Sequence, residues 1–185
     1  LRTYFNIPEH KKIFIYIGIL GKGRGIDEIV PVFKDDALEA CVIFLGYGDL
    51  APELSSLAEQ YNNIYLHGAV KHEEVTNIAS SADVGLCLIQ NVSLSDYYCL
   101  PNKLFEYCFS GLPILASDFP DIREAVDTYD LGICCDLDSK SIKQGILAFI
   151  NDNQEFDFSN KSIQPLSWQA QEAKLHELYK PLLGL

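Results

Sequence analysis

Six short runs of β-branched and aliphatic residues recur along the chain, at 13–19, 41–45, 64–67, 84–88, 114–116 and 132–134. Several are apolar at successive positions rather than alternate ones, the pattern of strands covered on both faces. Between them, apolar residues return at spacings of three and four. That period predicts helices over 25–34, 51–60, 72–80, 101–110, 119–127 and 139–151. A closing helix is expected over 167–183, with Trp168 as its packing anchor. The alternation implies right-handed βαβ units in an α/β fold: a doubly wound parallel sheet of about six strands with helices on both faces. Ligands of such sheets sit beyond the carboxyl ends of the strands, so the strand-to-helix loops are where chemistry is expected.

The segment from Leu100 to Ala116 is the most informative of these. It reads as a loop, a helix and a buried strand. Pro101 suits the first helical position, because its missing N–H needs no partner there. Leu100 before it has no side-chain acceptor for the first free amides. Those of Asn102, Lys103 and Leu104 then face water or a ligand, and a helix end with free N–H groups and a positive dipole favours anions. Leu104, Phe105, Cys108 and Phe109 form the expected apolar face, while Asn102, Glu106 and Ser110 share another. A carboxylate one turn behind a phosphate-binding helix end is well placed to accept bonds from ribose hydroxyls. From these residues alone, an ordinary surface turn with a Lys103–Glu106 pair is an equal reading.

Other loops add weaker signals. Gly21-Lys22-Gly23-Arg24-Gly25 follows the first strand, without dinucleotide or Walker A spacing. It is either a flexible turn or a loop whose backbone approaches a ligand while Arg24 grips a diphosphate. The third strand ends at His67-Gly68-Ala69-Val70, which is able to border a nucleobase, although His67 itself reads as a packed or hydrogen-bonded residue. His72 reads as solvent-exposed. A long polar and aromatic loop from Leu88 to Leu100 leads into the uncapped helix, and such loops tend to carry function. Asp118 or Asp121 is expected to cap the helix after the fifth strand.

The net charge of −12 over 185 residues leaves no basic stripe for nucleic acid. It also makes any anion site depend on a few local cations, with Arg24, Lys22 and Lys103 as candidates. The longest apolar run is far too short to span a bilayer. No Cys/His cluster has metal-ligand spacing, so no metal is expected. Cys41, Cys87 and Cys108 lie in apolar patterns and read as reduced core thiols of a cytoplasmic protein. Leu1-Arg2-Thr3-Tyr4-Phe5 is not a natural initiation site, so a fragment lacking its N-terminal portion is expected.

Taken in order, Tyr16-Ile17-Gly18, Arg24-Gly25-Ile26, Phe44-Leu45-Gly46-Tyr47-Gly48, Leu66-His67-Gly68 and Ala82-Asp83-Val84-Gly85-Leu86 lead to Leu100-Pro101-Asn102-Lys103-Leu104-Phe105-Glu106-Tyr107. This series, continued by Gly111-Leu112-Pro113-Ile114 and Ser167-Trp168, resembles the C-terminal half of a group 1 glycosyltransferase of the GT-B fold over nearly the whole chain. The resemblance implies one Rossmann-like domain over 1–185 that binds a nucleotide-sugar donor. The N-terminal acceptor domain would be absent, the isolated fragment inactive, and any membrane association left to the absent part. It implies metal-independent hexosyl transfer with retention, in bacterial polysaccharide or glycoconjugate synthesis, with a UDP- or GDP-sugar as substrate and no cofactor. It also implies that Arg24, beside Gly23, is the catalytic cation for the leaving diphosphate. The amides of Leu100, Asn102 and Lys103, beside Pro101, would cradle phosphate, and Glu106 would bind ribose; His67, Gly68 and Val70 would stand near the base. Two departures stand out. Ile19 occupies a position where the family often has arginine. Tyr98, eight residues before Glu106, occupies that of a sugar-contacting glutamate, so Tyr98 inherits the sugar end of the site. These departures motivate a second reading, a sugar-nucleotide-binding module without catalysis. A third, a GT-B sugar-nucleotide epimerase, fits the 101–107 pattern less well.

Overall fold

The structure, a computed structural model, describes residues 1–151, 156, 158 and 163–183. The predicted strands form a single parallel sheet: β1 (Lys12–Ile19), β2 (Ala40–Tyr47), β3 (Ile64–Gly68), β4 (Val84–Cys87), β5 (Ile114–Ser117) and β6 (Gly132–Cys135). Their spatial order is β3-β2-β1-β4-β5-β6, the doubly wound arrangement. The predicted helices are α2 (Ile26–Phe33), α3 (Ala51–Gln60), α4 (His72–Ala79), α6 (Asn102–Phe109), α7 (Pro120–Tyr129) and α8 (Ser139–Asn151). The closing helix is α9 (Trp168–Leu183). Two four-residue helices escaped the periodicity, α1 (Arg2–Phe5) and α5 (Leu94–Tyr97).

Strand alternation divides the core in two. Ile13, Ile15 and Ile17 of β1 join Cys41 and Ile43 of β2 beneath α4, α6 and α7. Phe14 and Tyr16 face the other way, with Val42 and Phe44, beneath α2, α3 and α8. Cys41, Cys87 and Cys108 are buried free thiols, as their apolar surroundings indicate, and burial raises the pKa of each to about 12.

The feature that positions the site lies between β1 and β4. Their pairing ends at Ile15↔Gly85, yet β1 runs on to Ile19. The hydroxyl of Tyr107, from α6, fills the resulting split. It accepts from the Ile17 N–H at 2.9 Å and has the carbonyls of Ile15 and Leu86, each at 3.1 Å, to donate to. Its ring covers β4 so closely that a Cβ on Gly85 would lie 2.3 Å from it. Ser117 makes a similar tie one strand over, accepting from the Ile89 N–H at 2.6 Å and donating back to the Ile89 carbonyl.

Several expectations need correction. The buried stripe of α6 is Leu104, Tyr107 and Cys108, while Phe109 is 45% exposed. Trp168 is no packing anchor. It is 68% exposed at the first turn of α9, and the preceding turn is seated instead by the buried Ile163 and by Leu166. Neither Asp118 nor Asp121 caps α7. Its N-cap is Phe119, and the Asp118 carboxylate is taken by Arg123.

The Tyr107 bridge predicts a specific cost. Tyr107→Phe leaves the Ile17 N–H buried without an acceptor and should lower the unfolding free energy by about 1–3 kcal/mol. Urea denaturation should show a lower midpoint at unchanged slope; an unchanged midpoint would contradict the assignment.

Candidate functional site

The split held by Tyr107 is the switch point of the sheet, where β1 and β4 carry their chains to opposite sides. The first turn of α6 meets it. Pro101 is the N-cap rather than the first helical residue, with extended backbone (φ −75°, ψ 146°) and no side-chain cap. The Leu104 N–H bonds back to the Pro101 carbonyl at 3.0 Å. The N–H groups of Asn102 and Lys103 have no acceptor among the described residues.

One turn along, Glu106 is partly buried, its side chain 21% exposed; its carbonyl accepts from Ser110, but its carboxylate accepts no hydrogen bond from any described residue. The exposed His72 has its Nδ1 4.0 Å from the carboxylate. No Lys103–Glu106 ion pair forms among the described residues, so the surface-turn reading loses its supporting contact. Glu106 and His72 stand between two cavities. One, of about 400 Å³, opens over Gly18, Tyr47, Val70 and Val75 at the ends of β1 and β2. The other, of about 550 Å³, lies between α6 and the chain entering α9, with Phe105, Phe109 and Trp168.

Lys103 turns inward. Its stem is partly exposed, but its Nζ is out of water, without a hydrogen-bond partner among the described residues. The ammonium lies 3.7 Å from the centroid of the Tyr16 ring. It also lies 3.9 Å from where a Cβ on Gly18 would stand, and the φ of +129° at Gly18 disfavours one. A cation in a first helical turn also opposes the helix dipole. Burial pulls the Lys103 pKa down from 10.5 to about 8, with Arg24 adding to the fall. The same burial pushes the Tyr16 phenol well above its ordinary range.

Arg24 is held by its loop. Gly25, with φ +77°, caps α2 and passes so close to β4 that a Cβ would lie 2.2 Å from the Leu88 carbonyl. The Gly23 carbonyl accepts from the Gln90 N–H at 3.2 Å, and the Gln90 side chain bonds Glu28. The Arg24 guanidinium, 42% exposed, reaches the Asp96 carboxylate at 3.7 Å. Asp96 is fixed in turn by Ser93, whose hydroxyl donates to it at 2.6 Å and caps α5. Sequence reasoning passed over Asp96, although the Ser93-x-x-Asp96 spacing is a capping signal. It also passed over Tyr47 as a cavity wall. Lys22 is exposed.

Other expected site residues line neither cavity. His67 faces α1, its ring 5.4 Å from that of Tyr4, with Nδ1 2.7 Å from the Gly68 carbonyl. Neither His67 nor Gly68 lines the cavity beside Val70. The two residues alternate off the strand end, and the aromatic pair Tyr4–Phe5 claims the His67 side. Tyr98 and Leu100 are exposed and line neither cavity. Ile19 is also exposed. Among the described residues no His, Cys, Asp and Glu cluster has the geometry to hold a metal, and no helix is long and apolar enough to cross a membrane.

A sequence profile of the glycosyl transferases group 1 family matches residues 2–164. The chain belongs to this family. No functionally curated protein matches it in sequence. Among solved structures it is similar to Anabaena Alr3699/HepE, crystallised with UDP-glucose, at 14% identity and TM-score 0.79, over 100% of this chain and 51% of that one. It is similar also to sucrose-phosphate synthase of Thermosynechococcus elongatus, at 19% identity and TM-score 0.77, over 99% of this chain and 48% of that one. AviGT4, a glycosyltransferase involved in avilamycin A biosynthesis, matches at 15% identity and TM-score 0.72, over 95% of this chain and 53% of that one. At such identities the likeness establishes the fold. The chain spans about half the length of each structure.

The buried ammonium has a measurable signature. Below pH 8 both folded and unfolded chains hold the Lys103 proton, and the fold bears the full cost of an unpaired buried charge. Between about 8 and 10.5 the folded state releases it first and the cost fades. Ligand-free Lys103→Met should therefore be more stable than the parent at pH 7, by up to about 3 kcal/mol. Denaturation at a series of pH values should show this gap closing toward pH 10; a gap independent of pH would contradict the burial of a charge.

Proposed function

We propose that the chain binds the nucleoside diphosphate of an activated sugar, as the donor-binding half of a retaining, metal-independent glycosyltransferase. One observation carries this reading. The α6 end at the switch point of the sheet holds two amides and a carboxylate without hydrogen-bond partners among the described residues, with Arg24 held by Asp96 in the neighbouring loops. The diphosphate fits the N-terminus of α6, where N–H groups and the dipole favour negative charge. Arg24 suits a phosphate in bidentate fashion. Glu106 has two free oxygens for the vicinal ribose hydroxyls, and the cavity beside Tyr47 and Val70 offers the base a partly apolar wall. Uridine and guanosine diphosphates are both candidates.

In transfer, the bond from the sugar to the diphosphate breaks and negative charge grows on the leaving oxygen. Donors already aimed at that charge stabilise its formation without reorganising. Arg24 and the α6 amides fill that role in this reading, and a metal ion has no assigned part in it. The leaving diphosphate competes with Asp96 for Arg24. Asp96, fixed by Ser93, thus sets how readily Arg24 turns to a ligand. The acceptor is held by a part of the protein beyond these 185 residues, as the half-length match to related structures suggests.

Calorimetric titration with UDP and with GDP tests the reading. One of them should bind, and both Glu106→Gln and Arg24→Ala should weaken it by about tenfold or more. Absence of binding by either nucleotide, or binding indifferent to both substitutions, would overturn it. Sugar transfer by the full-length protein then separates an enzyme from a binding module.

A further inference from the structure

We propose that the Lys103 ammonium, without a hydrogen-bond partner among the described residues, is the buried counter-charge of the diphosphate. The inference rests on the donor-site reading and extends it. Three observations converge. The ammonium is out of water yet makes no hydrogen bond among the described residues. It belongs to the same helical turn whose amides are free, so whatever these amides bind is within reach of its four-carbon stem. And it rests on the face of the Tyr16 ring, a weak substitute for a phosphate oxygen. A buried cation that breaks three local preferences at once, solvation, pairing and the helix dipole, is the kind of violation that folds concentrate at functional sites.

The pairing has a consequence for protons. The charged and titratable groups around the ammonium are Tyr16 on β1, Cys87 on β4, Cys99 in the loop before α6, Arg24 after β1, and Glu106 on α6 itself. Burial lifts Tyr16 and Cys87 out of the range of pH 7–9, and raises Cys99 as well. Lys103, drawn down to about 8, is thus the group that changes charge there. A diphosphate beside it favours the ammonium and restores the proton. Binding above pH 8 therefore takes up a proton, and affinity falls as pH rises, because the site must first be recharged. Tyr16 serves as a resting place for the ammonium. Gly18 keeps the space above it open.

The test is the pH dependence of UDP or GDP affinity, measured by calorimetry in buffers of different ionisation enthalpy, for the parent chain and Lys103→Met. The parent should lose about tenfold in affinity between pH 7 and 9 and take up close to one proton at the upper end. Lys103→Met should bind about ten- to a hundredfold more weakly at pH 7 and show neither the slope nor the uptake. Its ligand-free stability, at least that of the parent, confirms that the variant is folded. Binding by the parent that is flat in pH, or a slope shared by both proteins, would overturn the role of Lys103 while leaving the donor site standing. Binding of neither nucleotide by the parent at any pH would overturn both.

Discussion

A single phenolic hydroxyl bridges the split between β1 and β4 that positions the candidate site. Where β1 and β4 part company, a backbone N–H and two carbonyls are left facing a gap too narrow for a strand. The Tyr107 hydroxyl accepts from that N–H and shares its one proton between the two carbonyls. Buried backbone groups without partners cost as much as lost hydrogen bonds, so that hydroxyl stabilises the split. Gly85 is its complement, since any side chain would push the ring away. The pair also fixes the rotation of α6, because Tyr107 is anchored at its tip.

That rotation decides what the rest of α6 does. With Tyr107, Leu104 and Cys108 turned into the sheet, Glu106 falls beside the ends of β1 and β2, and the amides of Asn102 and Lys103 face the switch point. The adjoining edge gathers a buried ammonium, two N–H groups and a carboxylate within two turns, all without hydrogen-bond partners among the described residues. Each alone would be an ordinary imperfection. Together they support the proposed binding of a diphosphate with ribose hydroxyls next to it.

Much of this was legible in the sequence. The strands were apolar on successive positions because both faces are covered, and their bounds differ from the expected ones by a residue or two. The uncapped helix end was legible because Leu100 and Pro101 offer no side-chain acceptor. What escaped were properties of pairs distant in the chain. Tyr107 read as neither core nor polar, since nothing local says that Ile17 and Leu86 will present backbone groups to it. His67 sat at the right strand end, but α1, four residues long and without periodic signal, drew it aside. The inward turn of Lys103 depends on Tyr16 and Gly18, some eighty residues earlier.

The central claim is that an anionic nucleotide sits where α6 meets the split between β1 and β4. Backbone amide shifts in a heteronuclear NMR titration with UDP or GDP report it residue by residue. The largest changes are expected at Gly18, Arg24, Asn102 and Lys103, with smaller ones at Val70 and Glu106. Changes centred elsewhere, for instance on α7 and β6, or no changes at saturating nucleotide, would contradict it.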